Sequence, residues 1–531
     1  MNDKRLSMAS GRKKIFRMVI PGYPSFNIYS SVARSTTALG PIVVATAVSK
    51  LDGWEVEVID ENNYRRGPRA EDGYPDHAAL EALRPADVVG FYGGLTSTVP
   101  RLYSLARFYK EREKPTIAGG QHFIDENIRE ALDGGVDYLV LGEGERTIKE
   151  LILALERGSA LEPVAGLAFL DGGEVVHTAP REPINDLERL PLPDFSLLRF
   201  AKVFLYPVGW SRGCGMKCEF CTVRAVVRCP PPAHVFEQIV SLSERRRATD
   251  FFIVDDLFGQ RRELAIELCR MLKNYQETMG VKFHITAQIR LDKSKDLELL
   301  HAMRAANIRV VAIGFESPIP AELEAMNKKL RPEDMVAMTK VFHQAGILVH
   351  GMFIFGYPAK EGAEIHIPAK ERVRAFWKFI RQTHLDTLQV LLPVPLPGTE
   401  LTKRLGDAKR LFPREEIGWE YYDGNFPLFV PDAPLTADDQ RAALRSLMGR
   451  FYNFWHFFSI GWNVLSFPTI LFPAFNLKTG WHRWHTAWRN DLWGFIGWII
   501  LRKWRAKSSG ALFSAKLSRA AGGCSQQSNA H

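Results

Sequence analysis

Two consecutive series of short runs, rich in β-branched and aromatic residues and separated by stretches with helical spacing, restrict this chain more tightly than any other feature. The first series holds KIFRMVIP from Lys14, WEVEVID from Trp54, ADVVGFYG from Ala86, PTIAGG from Pro115 and VDYLVLG from Val136. Apolar positions at helical spacing fill Gly40 to Leu51, Val99 to Lys110 and Ile124 to Asp133. Runs apolar on both faces that alternate with helices form parallel sheets, so an α/β fold with a doubly wound parallel sheet is expected. Ligands of such sheets lie beyond the carboxyl ends of the strands. Gly93-Gly94, Gly119-Gly120 and Gly142-Glu143-Gly144 each follow a strand run and stand at that end.

The second series begins near Leu205 and continues with runs from Phe251, Lys282, Arg309, Ile347 and Asp386. Six strand–helix units make a partial (β/α)6 barrel, again with its site at the strand C-termini. Between the series lie a hairpin pattern, GLAFLDGGEVVH, and the proline-punctuated INDLERLPLPDF. The expected organisation is a first domain over 1–160, hairpin and linker over 161–200, a barrel over 201–425 and a C-terminal helical region over 426–531.

That last region has its own chemistry. No charged residue falls between Arg450 and Lys478, and a second uncharged run, Leu492 to Leu501, is flanked by Arg489, Asp491, Arg502 and Lys503. Pro468 and Pro473 interrupt the first run, and the second is too short to span a bilayer. An aromatic segment beside basic residues is expected to lie on an anionic membrane surface. The net charge of +9 is otherwise spread along the chain, and no nucleic-acid motif accompanies it. The basic start lacks a signal-peptide pattern, and the six cysteines make no disulfide framework. The expected location is cytoplasmic, peripheral to the inner face of the membrane.

Three of those cysteines crowd into GWSRGCGMKCEFC: Cys214, Cys218 and Cys221. The C-x3-C-x2-C spacing lets one loop wrap a [4Fe-4S] cube and leave one iron without a protein ligand. The alternative is a zinc site completed by Cys229, although structural zinc sites usually come as two C-x2-4-C pairs. Cys229, Cys269 and Cys524 read otherwise as ordinary residues.

From Leu205 to Pro397 the sequence resembles the radical SAM core, whose open iron chelates S-adenosylmethionine (SAM). Phe220, before the third cysteine, matches the aromatic residue that shields the cluster. The resemblance implies SAM contacts from FIVDDLF (Asp255 and Asp256, toward the ammonium), TAQIRLD (Gln288 and Arg290, toward carboxylate and ribose), IGFES (Glu316) and GMFIFGYP (Gly356, under the adenine). The first 150 residues resemble the cobalamin-binding domain that precedes this core in the B12-dependent class. The residues that carry this likeness are Gly40, Thr96, Ser97, Gly119, Gly120, His122, Gly142, Glu143 and Gly144. The D-x-H-x-x-G motif that ligates cobalt from below in other cobalamin proteins is missing, because Asp76-His77 has no glycine in register.

The resemblance implies methylation of an unactivated carbon, in the manner of the hopanoid methylases, with electrons from a flavodoxin or ferredoxin. The aromatic tail points to a hydrophobic, lipid-like substrate. Oxygen-independent porphyrin ring cyclases, which share both domains, and methylases or other radical C–H-functionalising enzymes that tailor a peptide or antibiotic stand as the alternative enzymes. A membrane-bound cobalamin or cluster sensor is the alternative without catalysis.

Overall fold

A computed structural model of the chain describes residues 12–223, 225–360, 362–363, 365–465, 479–507 and 511–528. The strands are β1 Lys14–Ile20, β2 Trp54–Asp60, β3 Val88–Tyr92, β4 Thr116–Gly119, β5 Tyr138–Val140, β6 Leu167–Asp171, β7 Glu174–His177, β8 Leu198–Arg199, β9 Leu205–Val208, β10 Asp250–Ile253, β11 His284–Gln288, β12 Ile308–Glu316, β13 Leu348–Ile354 and β14 Thr387–Leu391.

The first eight build one sheet in the order β7-β6-β5-β4-β3-β1-β2-β8. The strands from β5 across to β8 are parallel, with β1 between β2 and β3. Chain order therefore reverses between β1 and β3, and that reversal opens a crevice at their carboxyl ends. Helices Leu39–Val48 and Gly144–Arg157 bury Ile42, Ala45, Ile148 and Leu151 on one face, while Val99–Lys110 buries Leu102 and Leu105 on the other. The hairpin of the expected 161–200 linker is not detached. β6 pairs antiparallel with β5, and the two residues of β8 extend the opposite edge beside β2.

The second sheet runs β14-β13-β12-β11-β10-β9, all parallel and in chain order, as a partial barrel requires. Its crossover helices include Pro232–Arg246, Arg262–Met279, Leu297–Ala305, Pro332–Gln344 and Ala369–Thr383. Arg262–Met279 ends at Gly280, whose φ of +64° closes the helix in the left-handed conformation that glycine adopts freely.

The C-terminal region divides by burial. Helix Ala437–Phe451, opened by a Thr436–Asp439 capping box, buries Leu444, Leu447 and Met448 in the barrel core. Immediately after it, the Tyr452 hydroxyl donates to the Leu388 carbonyl at 2.8 Å and accepts from the Leu388 N–H at 2.7 Å. It thereby satisfies an exposed edge of β14. Helix Ala511–Ser528 also folds back, packing Phe513 and Leu517 against Tyr421 and Phe426. Helix Trp455–Leu465 lies on helix Thr479–Lys507, where His456 and Ser459 meet Asp491 at 2.8 and 2.6 Å. Its outer side leaves Trp455 74% and Trp462 76% exposed. Pro468 and Pro473 lie outside the described residues. No described helix is long and apolar enough to cross a membrane.

Candidate active site at the facing strand ends

The three cysteines sit on the loop between β9 and helix Pro232–Arg246, and its described residues are held at several points. At its neck Arg212 and Arg228 exchange backbone hydrogen bonds of 3.0 and 2.9 Å. Gly213, at φ +87°, runs so close to the returning strand that a Cβ would lie 2.6 Å from the carbonyls of Ala225 and Val226. Gln260 donates to the Cys214 carbonyl at 3.0 Å, and Asn327 to that of Lys217 at 2.7 Å. Glu219 is buried, with its carboxylate held by the Tyr357 hydroxyl and Arg404, both at 2.7 Å. Phe220 packs edge-on against Tyr357.

Burial raises the thiols of Cys218 and Cys221, and Cys218 feels both other cysteines of the motif. Cys229, the fourth ligand of the zinc alternative, answers to burial, Asp255 and Arg261 instead, and its thiol is pushed up to about 12. Three half-buried thiols on a pinned loop fit a cube that takes one corner from each.

The expected SAM contacts gather around this loop, though not all in the same role. Asp255 is buried, and its carboxylate accepts from the Trp210 N–H at 2.7 Å and from the Ser211 N–H and hydroxyl at 2.9 and 2.6 Å. Those bonds brace the start of the cysteine loop. Asp256, beside it, accepts from the Gly213 backbone and faces Cys221. Gln288 likewise supports the backbone, donating to the Asp256 carbonyl at 3.0 Å. Arg290 pairs with Asp292 and reaches Met216 of the loop at 3.1 Å. Glu316 ends β12 with φ at +64°, a costly conformation for a residue with a side chain, and pairs with Lys328 at 2.8 Å. Burial works against the Lys328 charge, but Glu316 and Cys218 hold its pKa up. Gly356 (φ +74°) has no room for a Cβ beside Leu435 and Gln440, and its carbonyl accepts from Gln440 at 3.2 Å.

Across from the loop a cavity of about 710 Å³ runs between the two sheets. Its rim is Gly40, Gly119, Gly120, Gly142 and Gly144, and it descends over Met18, Gly90 and Ile117 between helices Leu39–Val48 and Gly144–Arg157. At Gly120 (φ +139°) a Cβ would fall 2.3 Å from the Gly93 carbonyl carbon, and at Gly119 it would fall 3.1 Å from the Val140 oxygen. A glycine rim with an apolar shaft beneath it fits a flat macrocycle with a trailing nucleotide tail.

Glu143 lines the cavity beside Gly142 and Gly144 and also binds the neck of the cysteine loop. It pairs with Arg212 at 3.0 Å and Arg228 at 2.8 Å and accepts from the Ile184 N–H at 2.6 Å, while Glu145 takes the other end of Arg212. Burial alone would raise the Glu143 carboxyl; Arg228, the Ile184 N–H and Arg212 hold it down to about 2. GEGE thus ties the rim of the first sheet to the neck of the cysteine loop.

Thr96, Ser97 and His122 do not join the glycines. They line a second chamber of about 250 Å³ with Tyr23, Tyr29 and Asp423. Gln121 and Thr222 border both spaces and meet at 3.1 Å, one residue from Cys221. His122 is 1% exposed, not a surface residue, and Trp419 stacks edge-on against it. His77 is committed to Tyr109 and Glu61. Sequence reasoning missed Arg212, Arg228, Lys328 and Asp423. Arg212 stands two residues before Cys214, the one local hint that any of them offered.

Comparison with known proteins agrees with this geometry. Residues 28–152 match the B12 binding domain family and residues 208–366 the radical SAM superfamily. An uncharacterized methyltransferase of Pyrococcus horikoshii, PH0819, is 28% identical over 342 residues, 62% of this chain and 71% of its own. An anaerobic magnesium-protoporphyrin IX monomethyl ester cyclase of Rubrivivax gelatinosus is 26% identical over 376 residues, 67% of this chain and 63% of its own. The hopanoid C-2 methylase of Rhodopseudomonas palustris is 25% identical over 395 residues, 73% of this chain and 67% of its own. The radical SAM methyltransferase TsrM of Kitasatospora setae, solved with cobalamin and a [4Fe-4S] cluster, shares the fold. Its TM-score is 0.62 at 17% identity, over 94% of this chain and all of the other.

Proposed function

We propose that this chain, which belongs to the radical SAM enzymes that carry a B12-binding domain, methylates an unactivated carbon of a hydrophobic, lipid-like substrate at a membrane surface. One observation carries the reading: the cysteine loop and the glycine-rimmed cavity open into one space, joined at Gln121 and Thr222. When bound there, the cluster and SAM supply a carbon radical and cobalamin carries the methyl group. No side chain is basic enough to deprotonate such a carbon, which is why the chemistry needs a radical.

The protein's own part is to bind, orient and shield. Cys214, Cys218 and Cys221 would hold the cluster, with Phe220, packed on Tyr357, to shield it from water. Asp256, Arg290, Glu316 and Gly356 hold SAM, with Lys328 keeping Glu316 turned toward the loop. The glycine rim would let a corrin ring lie against backbone. An exposed aromatic face on helix Trp455–Leu465, with Arg502 and Lys503 on the helix behind it, supports docking to an anionic bilayer. A flavodoxin-type or ferredoxin-type protein supplies electrons.

Mass spectrometry of total lipids from cells with and without the gene tests the reading. A 14 Da increment in one lipid class is expected, and an unchanged lipidome overturns it. The cyclase relative favours one second reading, ring closure on a porphyrin side chain; a tetrapyrrole that loses hydrogen and gains oxygen, without added carbon, selects it.

A further inference from the structure

The second chamber holds polar groups that neither cofactor explains. Its walls are otherwise apolar, formed by Leu95, Val394, Leu396 and Pro397. Asp423 faces this space, and its two carboxylate oxygens accept from the Asn425 N–H at 2.9 Å and the Asn27 amide at 3.2 Å. Both donors are neutral, and among the described residues no cation pairs with Asp423. Removing a carboxylate from water without a cation is costly, and burial pushes its carboxyl up to about 7. Burial also raises Tyr23 and Tyr29, so both phenols keep their protons. His122 places Nδ1 3.4 Å from the Thr96 hydroxyl and leaves Nε2 buried without a partner. Burial, with Arg414 adding to it, lowers this imidazole to about 3, so the ring is neutral.

We infer that this chamber seats one end of the substrate and that Asp423 recognises a hydrogen-bond donor on that end, an alcohol or an ammonium, while excluding carboxylate and phosphate ends. The position fits the task, because Thr222 opens the chamber one residue beyond Cys221. The chemistry fits as well. A further donor, and above all a cationic one, adds to a carboxylate whose partners are all neutral, whereas a second anion in the same space is repelled. The neutral His122 ring and the Tyr23 hydroxyl then receive or supply the remaining bond to the same group. A volume of about 250 Å³ admits a six-carbon ring with its polar substituent. The assignment rests on the joined cavities being the active site.

Ligand-observed NMR titrations on the full chain, reconstituted anaerobically at pH 8, test it with cyclohexanol, cyclohexylamine and cyclohexanecarboxylate as probes. The alcohol and amine are expected to bind at least about tenfold more tightly than the carboxylate. Asp423→Leu weakens both donors by about tenfold or more. Asp423→Asn weakens the amine by about tenfold and leaves the alcohol within about twofold, which separates the two donor types. Tyr23→Phe costs both about two- to threefold. Carboxylate binding as tight as the alcohol overturns the inference, as does unchanged donor affinity in Asp423→Leu of wild-type thermal midpoint. Should that variant fail to fold, unchanged amine affinity in Asp423→Asn overturns it. None of these titrations involves turnover, so a failed lipid result leaves them standing, and the reverse also holds.

Discussion

The two sheets face one another with their carboxyl ends, yet they meet the space between them in opposite ways. The first sheet offers backbone: Gly40, Gly119, Gly120, Gly142 and Gly144, where an added side chain either occupies the cavity or strikes the neighbouring strand. The barrel offers a loop held by charge and amide donors, from Asp255 at its start through Glu219 and Arg404 in its middle. A surface that must lie flat against a large planar ligand is made by removing side chains. A loop that must hold three thiols in fixed positions is made by tying down its backbone before any cofactor arrives. The two constructions touch where Arg212 and Arg228 reach across to Glu143 and Glu145, and again where Thr222 meets Gln121.

Three variants break or sharpen that contrast. The largest effect is expected from Cys218→Ala, which removes the cluster's visible absorption and all deoxyadenosine formation. Hydroxocobalamin retained through gel filtration should be unaffected, because the glycine rim is intact. Gly144→Phe is the mirror experiment. Gly144 has no positive φ, and a Cβ there meets Val44 at 3.4 Å, so a ring enters the cavity without backbone strain. Cobalamin affinity should fall by more than about tenfold while iron content and the reduced-cluster spin signal stay at wild-type levels. Loss of both together would mean that the two constructions are not separable.

Glu143→Gln has the smallest effect and probes the join itself. Because the carboxyl is held at about 2, below its ordinary 4.5, the ion pairs contribute stability that is fully present above pH 4.5. That contribution is lost as pH falls from there toward 2. At neutral pH the variant is expected to be less stable by on the order of 2 kcal/mol. The gap between variant and wild type should close on acidification, read as thermal midpoints across pH. A gap that stays constant would assign the effect to packing instead of charge.

The strands of both sheets were legible because parallel strands, buried on both faces, appear as short apolar runs, and the cysteine spacing is itself a local pattern. The hairpin's membership in the first sheet was not, since a glycine-turned hairpin reads alike whether or not it pairs with β5. The ion pairs of Arg212 and Arg228 join loops far apart in sequence and leave no periodicity to find. Asp423 lies in a Tyr-Tyr-Asp-Gly-Asn turn and Tyr23 in a proline–glycine stretch, both of which read as connectors. Only tertiary burial gives those residues their chemistry. Asp255 and Glu143 were found by motif, but nothing local to either motif announces the bonds of Asp255 to Trp210 and Ser211 or of Glu143 to Arg212 and Arg228.

The phenol of Tyr452 sets one limit on how far this protein can be shortened. A chain cut at Leu435 loses the residues packed on Gly356 and uncovers the outermost strand of the barrel, leaving Leu388 as a template for a strand from another molecule. A chain that ends just after Tyr452 keeps that seam closed, yet it still strips Phe513 and Leu517 from Tyr421 and Phe426 and removes Leu501 and Trp504 from the barrel core, so new apolar surface opens there instead.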